Sequence, residues 1–202
     1  MTEMTVHEHI ERHRVASLPP RYRCRKLSDF SQAIQTRMLG FLDDSSWCCY
    51  IYGAVGTCKS SLAVATLQTW RDRQVGLRRA QGHFVPIYSL AEVLRNLAVS
   101  ASTLDAWKQS PFLILDDLGA SRSTPHIVER TCFLLEYRYD HSDGNAKTIV
   151  TSNLDLKHLA EALDPRLASR LQEGLILNMG RHDMRRAGTR RLVDAESVAT
   201  DS

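Results

Sequence analysis

The sequence predicts an α/β fold in which a parallel central sheet is flanked by helices. Three observations carry that expectation. Short apolar runs alternate with helical patterns along the chain, the order that a parallel sheet covered on both faces requires. A glycine-containing loop joins a predicted strand to a predicted helix in IYGAVGTCKSSLA (51–63). A second apolar run, PFLILDDLG (111–119), ends in two carboxylates.

The elements follow in order. Residues 1–17 are polar and form a predicted arm, with Val6 and Ile10 four apart as on one face of a short helix. Pro19-Pro20 then punctuates the chain. WCCYIY (47–52) is apolar and aromatic and stops at Gly53, the pattern of a buried strand. SSLAVATLQTWRDR is helical, with Leu62, Ala65, Thr66, Thr69 and Trp70 sharing a face. HFVPIYSL (83–90) is predicted as a strand interrupted by Pro86, and LAEVLRNLAV as a helix with Leu90, Val93, Leu94 and Leu97 in one stripe. FLILDDL is a strand, IVERTCFLLEYRY a helix and HSDGNAK a turn. TIVTSN (148–153) is a β-branched strand. LKHLAEAL and PRLASRLQEG are short helices, the second opening on Pro165 and closing near Gly174, and LILNM (175–179) is a last strand. Beyond about residue 192 the composition turns small and polar, so a tail is expected over 193–202.

Composition sets outer bounds. The chain has 202 residues, 43% hydrophobic and 24% charged, an ordinary globular balance. Neither a signal peptide nor a bilayer-length apolar run is legible, which predicts a cytoplasmic protein. The five cysteines, Cys24, Cys48, Cys49, Cys58 and Cys132, show no C-x-x-C spacing and are expected as free thiols. Net charge is +3, with basic clusters in RYRCRK (21–26) and GRHDMRRAGTRR (180–191). Charge alone does not separate a phosphate-binding patch from a solvated face.

The loop carries the chemistry. G-x-x-x-x-G-K-[ST] is the phosphate-binding pattern, and Gly53, Lys59 and Ser60 fit it, whereas Cys58 stands where the second glycine belongs. The candidate ATP-binding residues run from Gly53 through Ala54, Val55, Gly56, Thr57, Cys58, Lys59 and Ser60 to Ser61. Backbone amides and the following helix N-terminus would cradle phosphates, Lys59 would reach the β- and γ-phosphates, and the Ser60 hydroxyl would ligate Mg²⁺. Asp116, at the end of its strand, is the second candidate Mg²⁺ ligand, and Asp117 the group that polarises an attacking water. The Asn153 amide, at another strand end, can hydrogen-bond the γ-phosphate and that water. Arg166 and Arg170 lie four apart on one helix face; at a subunit edge one of them could enter a neighbour's site.

Taken together, LPPRYRCRKLSDF, GAVGTCKSSLA, FLILDDLGA, LLEYRYDHSDGNAKTIVTSNL and LDPRLASRLQEGLILNMGRHDMR make the sequence resemble the ATPase domain of the AAA+ helicase loaders (DnaC/DnaI-like) and the related IstB-like transposition helpers. The resemblance covers residue 18 to about residue 186 and implies an AAA+ ATPase domain over 18–192, with minimal or no helical lid. It places Lys59 and Ser60 at Walker A, Asp116 and Asp117 at Walker B, Asn153 at sensor 1, Arg185 at sensor 2 and Arg170, with Arg166 beside it, at the arginine finger. It implies a homo-oligomer with ATP between subunits. The implied partners are single-stranded DNA and a DnaB-type hexameric helicase or, for the transposition helpers, duplex DNA and a transposase.

Two departures stand beside the resemblance. Cys58 replaces a glycine, and only about 17 residues precede LPPRYR, too few to bury a separate core. Cys58 also keeps open a third reading, a nucleotide-binding interaction protein without hydrolysis. The retained Lys59, Ser60, Asp116, Asp117, Asn153 and Arg170 argue against it.

Overall fold

The computed structural model describes residues 18, 20–74, 82–95, 97–119, 124–142 and 144–180. A helical turn at Pro20–Arg23 and a 3₁₀ turn at Leu27–Asp29 lead into α1 (Gln32–Asp43), β1 (Cys48–Tyr52), α2 (Lys59–Arg73) and β2 (Gly82–Pro86). There follow α3 (Ile87–Arg95), α4 (Leu97–Lys108), β3 (Phe112–Leu118), α5 (Pro125–Asp140) and β4 (Lys147–Ser152). The described chain closes with α6 (Leu156–Ala162), α7 (Pro165–Gln172) and β5 (Leu175–Asn178). The expected arm over 1–17, the tail over 193–202 and the arginine cluster with Arg185 lie outside the described residues. Among the described residues no helix is long and apolar enough to cross a membrane.

The five strands form one parallel sheet in the order β2-β3-β4-β1-β5. Its strands alternate between two cores, as the period of two requires. Cys49, Ile51, Ile114 and Ile149 face α1, α2 and the segment from Leu18 to Phe30. Tyr50, Leu113, Leu115 and Val150 face the opposite layer, where Leu90, Trp107, Leu134, Leu159 and Leu171 pack from α3 to α7. The α2 helix is covered on more than the predicted stripe: Leu62, Ala63, Val64, Ala65 and Leu67 are all fully buried. It runs directly out of the loop, sandwiched between the sheet and α1, and so fixes the loop's position.

Three expectations change. HFVPIYSL is half strand and half helix: β2 ends at Pro86 and α3 starts at Ile87. Proline has no N–H for a ladder, which suits the last position of an edge strand paired only to β3. Downstream of LAEVLR, α4 is a further helix over SASTLDAWK. Upstream, α1 also lies outside the sequence reading, although Ile34, Met38 and Phe41 have helical spacing and are buried. Its Ser31 cap, whose hydroxyl accepts from the Ile34 amide, was the available signal.

Two buried cations secure the amino-terminal edge of the sheet. Arg138, 4% exposed, donates to the Thr148 hydroxyl at 2.8 Å and to the carbonyls of Trp107, Lys108, Ser110 and Lys147 at 3.1, 2.9, 2.7 and 2.9 Å. It thereby caps the carboxyl end of α4 and ties it to β4. The Lys147 ammonium donates to the carbonyls of Asp44 and Ser46, before β1. The opposite, carboxyl-terminal edge carries the loop after β1, the acidic residues of β3 and Asn153.

Candidate nucleotide-binding site

Sheet order builds the site. β4 lies between β1 and β3, so the residue leaving β4 stands between the loop after β1 and the acidic pair ending β3. That residue is Asn153. Its Oδ1 accepts from Lys59 Nζ at 2.8 Å, and its Nδ2 donates to Asp117 Oδ1 at 3.0 Å. Lys59 at the start of α2, Asn153 after β4 and Asp117 near the end of β3 thus form one hydrogen-bonded line across the edge of the sheet.

The loop is pinned at both ends. The Ala54 amide donates to the Gly180 carbonyl at 3.0 Å, and Lys59 Nζ donates to the carbonyls of Gly53 and Ala54 at 2.9 and 2.8 Å. Gly53 has φ +149, and a β-carbon there would lie 2.8 Å from the Gly180 oxygen, so this position needs glycine. Cys58 has φ 64 and ψ 22, the left-handed conformation that glycine adopts freely and other residues adopt at a cost of about 1–3 kcal/mol. The departure from the motif is therefore a real conformational burden at the residue that opens α2.

Cys58 places no side-chain cap on α2. The positive end of the helix is aimed at the loop, where an anion would meet the first-turn amides. Lys59 is 7% exposed and Ser61 8%, so the loop's polar groups sit within protein, while Val55 at its tip is 61% exposed.

The acidic pair is split by a bulge. β3 and β4 pair in register at Leu115 and Val150, then again at Leu118 and Ser152. Asp116 and Asp117 therefore oppose the single residue Thr151, and Asp117 takes φ 66. Asp116 stays buried, at 7% exposure, and Asp117 turns out into solvent. Burial pushes the Asp116 carboxyl above its ordinary range; Asp117 adds to this, while hydrogen bonds from Thr151 and Ser60 and the charge of Lys59 oppose it.

These residues fit ATP with Mg²⁺. A buried carboxylate near the Ser60 hydroxyl, costly to ionise alone, makes with it a donor pair that a divalent cation would stabilise. Ser60 and Asp116 would hold the metal, the loop amides and Lys59 the phosphates, and Asp117 and Asn153 would face the terminal phosphate. The bound metal would neutralise charge on the phosphates.

The structure brings Gly53–Ser60, Asp116, Asp117 and Asn153 together and leaves Arg166 and Arg170 elsewhere. The Arg170 carbonyl accepts from Trp47 Nε1, just before β1 and so at the end of that strand away from the loop. The Arg170 guanidinium lies 4.9 Å over the Tyr139 ring, and its Nη1 stands 3.8 Å from Glu136 and 3.7 Å from Asp140 without a hydrogen bond. Arg166 is more exposed and donates through Nε and Nη2 to Asp164 at 3.3 and 3.1 Å. Sequence reasoning missed Thr151, whose hydroxyl joins the Asp116 carboxylate to the Asp117 backbone amide. A threonine in a β-branched strand signals sheet propensity and nothing more.

No family model matches the chain, and no curated protein matches it in sequence. Solved structures match it in fold. The DnaC helicase loader is 25% identical with a TM-score of 0.64, over 79% of this chain and 99% of that one. A putative primosome component from Streptococcus pyogenes serotype M3 is 26% identical with a TM-score of 0.60, over 80% of this chain and 89% of that one. The replication initiator DnaA bound to AMPPCP and single-stranded DNA is 21% identical with a TM-score of 0.63. That match takes in 80% of this chain and 50% of the initiator, so the chain spans half the initiator's length.

Proposed function

The chain has the AAA+ P-loop NTPase fold, and from that premise we propose that it is a Mg²⁺-dependent ATPase that delivers a DnaB-type hexameric helicase to single-stranded DNA. The observation that carries the ATPase reading is the line from Lys59 through Asn153 to Asp117 beside the Ser60–Asp116 pair. A nucleotide-binding protein without hydrolysis has no need of a solvent-facing carboxylate held at that spot. The delivery reading is supported by the likeness to the solved DnaC helicase loader chain, of which the match covers 99% at 25% identity.

ATP would bind between subunits of a homo-oligomer. Arg170 cannot serve the site of its own subunit, because it lies toward the other end of β1. A neighbour's arginine would then complete the site, as the loop and acidic pair supply no guanidinium.

The test is ATP turnover by the purified protein, alone, with single-stranded DNA and with a hexameric helicase. Turnover stimulated by both, and abolished in Asp117→Asn, is the expected result. Equal turnover in wild type and Asp117→Asn removes the catalytic reading. Binding to a transposase and duplex DNA, with no capture of the helicase, replaces the loader reading by the transposition-helper one.

A further inference from the structure

We infer that Thr151 is the positioning residue of the acidic pair: one hydroxyl, donating to the Asp116 carboxylate and accepting from the Asp117 backbone, holds the two carboxylates in their separate directions. The inference rests on the proposed ATPase reading and adds to it a residue that neither touches substrate nor belongs to the phosphate-loop pattern.

The geometry assigns both bonds without ambiguity. Thr151 Oγ1 lies 2.7 Å from Asp116 Oδ1 and 2.9 Å from the Asp117 nitrogen. An ionised carboxylate can only accept and a backbone amide can only donate, so the single hydroxyl proton goes to Asp116 and a lone pair takes the Asp117 amide. Thr151 is 1% exposed, so water does not compete for either bond.

The bulge explains why the hydroxyl is needed. An extra residue in β3 breaks the ladder between Leu115 and Leu118. The Asp117 amide then has no strand carbonyl opposite it, and an unmatched polar group is costly where burial excludes water. Thr151 supplies the missing acceptor from the adjacent strand. The same bond holds Asp117 in its left-handed conformation, which carries its carboxylate toward Asn153. Without the hydroxyl, Asp116 loses a donor to its charged form, and Asp117 loses the anchor of its backbone.

The next residue provides an internal control. Ser152 Oγ donates to the Leu118 carbonyl at 2.6 Å and accepts from the Leu154 amide at 3.0 Å. It is equally buried and equally double-bonded, yet touches neither carboxylate. A merely structural buried hydroxyl should behave like Ser152.

The experiment measures AMPPCP binding with and without Mg²⁺ by calorimetry, together with ATP turnover and thermal unfolding, for wild type, Thr151→Val, Thr151→Ser and Ser152→Ala. Thr151→Val should bind AMPPCP without metal within about 3-fold of wild type, lose at least ~10-fold of the affinity gained from Mg²⁺, and drop kcat by roughly 10- to 100-fold at similar KM. Thr151→Ser should stay within about 3-fold of wild type on each quantity, because it keeps the hydroxyl. Ser152→Ala should lower the unfolding temperature and leave the Mg²⁺ gain intact. A folded Thr151→Val with the full Mg²⁺ gain and normal kcat overturns the inference, as does a Thr151→Ser as impaired as the valine variant. Should Thr151→Val not fold, amide exchange in wild type decides: the Asp117 N–H should be protected although its residue is exposed, and fast exchange there overturns the inference. Wild type that binds no AMPPCP removes the proposed function and this inference together. Wild type with a Mg²⁺ gain that Thr151→Val retains removes only this inference.

Discussion

Lys59 and Asn153, separated by 94 positions in sequence, meet through a 2.8 Å hydrogen bond from the ammonium to the side-chain carbonyl. That bond fixes which way the Asn153 amide faces. With Oδ1 taken by Lys59, Nδ2 must point at Asp117. Asn153→Asp replaces the donor with a carboxylate and sets two like charges side by side. The expected outcome is a fall in kcat of about 100-fold or more, with nucleotide affinity changed far less, since the loop amides remain. Steady-state kinetics with ATP titration checks this. A large loss of affinity at unchanged kcat would assign Asn153 to binding instead.

Cys58 makes a separate prediction. Its φ of 64 places a β-carbon where the loop pattern has glycine. Cys58→Gly removes that strain, while glycine's extra unfolded-state freedom takes back about 0.5–1 kcal/mol. The expected net effect on global stability is small. Nucleotide affinity should rise by roughly 3- to 10-fold, because the loop no longer resists the conformation that phosphate contact requires. Cys58→Val, β-branched in the same left-handed conformation, should weaken binding and stability together. ATP-analogue titration measures both. A glycine variant that binds no better would mean the loop is built around the thiol.

These two residues also mark what the sequence could reveal. The loop, the acidic pair and Asn153 were legible because each ends an apolar run, and strand ends of a parallel sheet share one edge. Cys58 was legible as a departure because its neighbours fit the pattern. Thr151 was not, because its role arises from a two-against-one offset that no spacing in TIVTSN or FLILDDL encodes. The α4 helix was obscured by its run of small and polar residues, LAVSAST, which weakens the apolar stripe ahead of Leu104 and Trp107. Pro86 misled because a proline inside an apolar run suggests interruption, whereas here it closes a strand on which a helix begins at once.

Asp116 sets function against stability. Burial raises its carboxyl above the ordinary range, so folding disfavours its charged form. That unfavourable contribution is present above the folded-state pKa and vanishes as pH falls below the unfolded value. Asp116→Asn removes it at neutral pH while keeping an oxygen to accept from Thr151. The nucleotide-free variant should melt higher than wild type, with a weaker dependence of its melting temperature on pH between neutral and mildly acid. It should also lose the affinity gained from Mg²⁺. Calorimetric melting across pH tests the first claim, and an unchanged or lower melting temperature would sink it.

Arg138 carries the opposite trade. Its five hydrogen bonds satisfy one hydroxyl and four carbonyls in the interior. Arg138→Met fills similar volume but leaves those acceptors without their donor. The expected loss is about 3–5 kcal/mol, a large share of a domain's net stability. The site lies at the other edge of the sheet, so AMPPCP affinity of the folded fraction should be unchanged. Urea unfolding measures the loss, and a shift under about 1 kcal/mol would show that the network is dispensable.

The two arginines of α7 differ in how their charge is engaged. Arg166 is held by Asp164 through two donors, whereas Arg170 Nη1 has carboxylates only at 3.7 and 3.8 Å and no hydrogen bond among the described residues. Arg170 would also leave the Tyr139 ring and two ion pairs on turning toward a neighbouring subunit; it is the proposed arginine finger because the resemblance to the helicase loaders puts it at that position. Arg170→Ala should lower DNA-stimulated turnover by about 10³-fold, and Arg166→Ala by under 10-fold. Mixing separates a role in trans from one in cis. Lys59→Ala subunits keep the arginine but lack a working loop, and Arg170→Ala subunits keep the loop but lack the arginine. A mixture of the two inactive variants should regain a fraction of wild-type turnover, because some interfaces then pair an intact loop with an intact arginine. No recovery on mixing would place Arg170 outside the neighbour's site, and normal turnover in both single arginine variants would remove the intersubunit arrangement altogether.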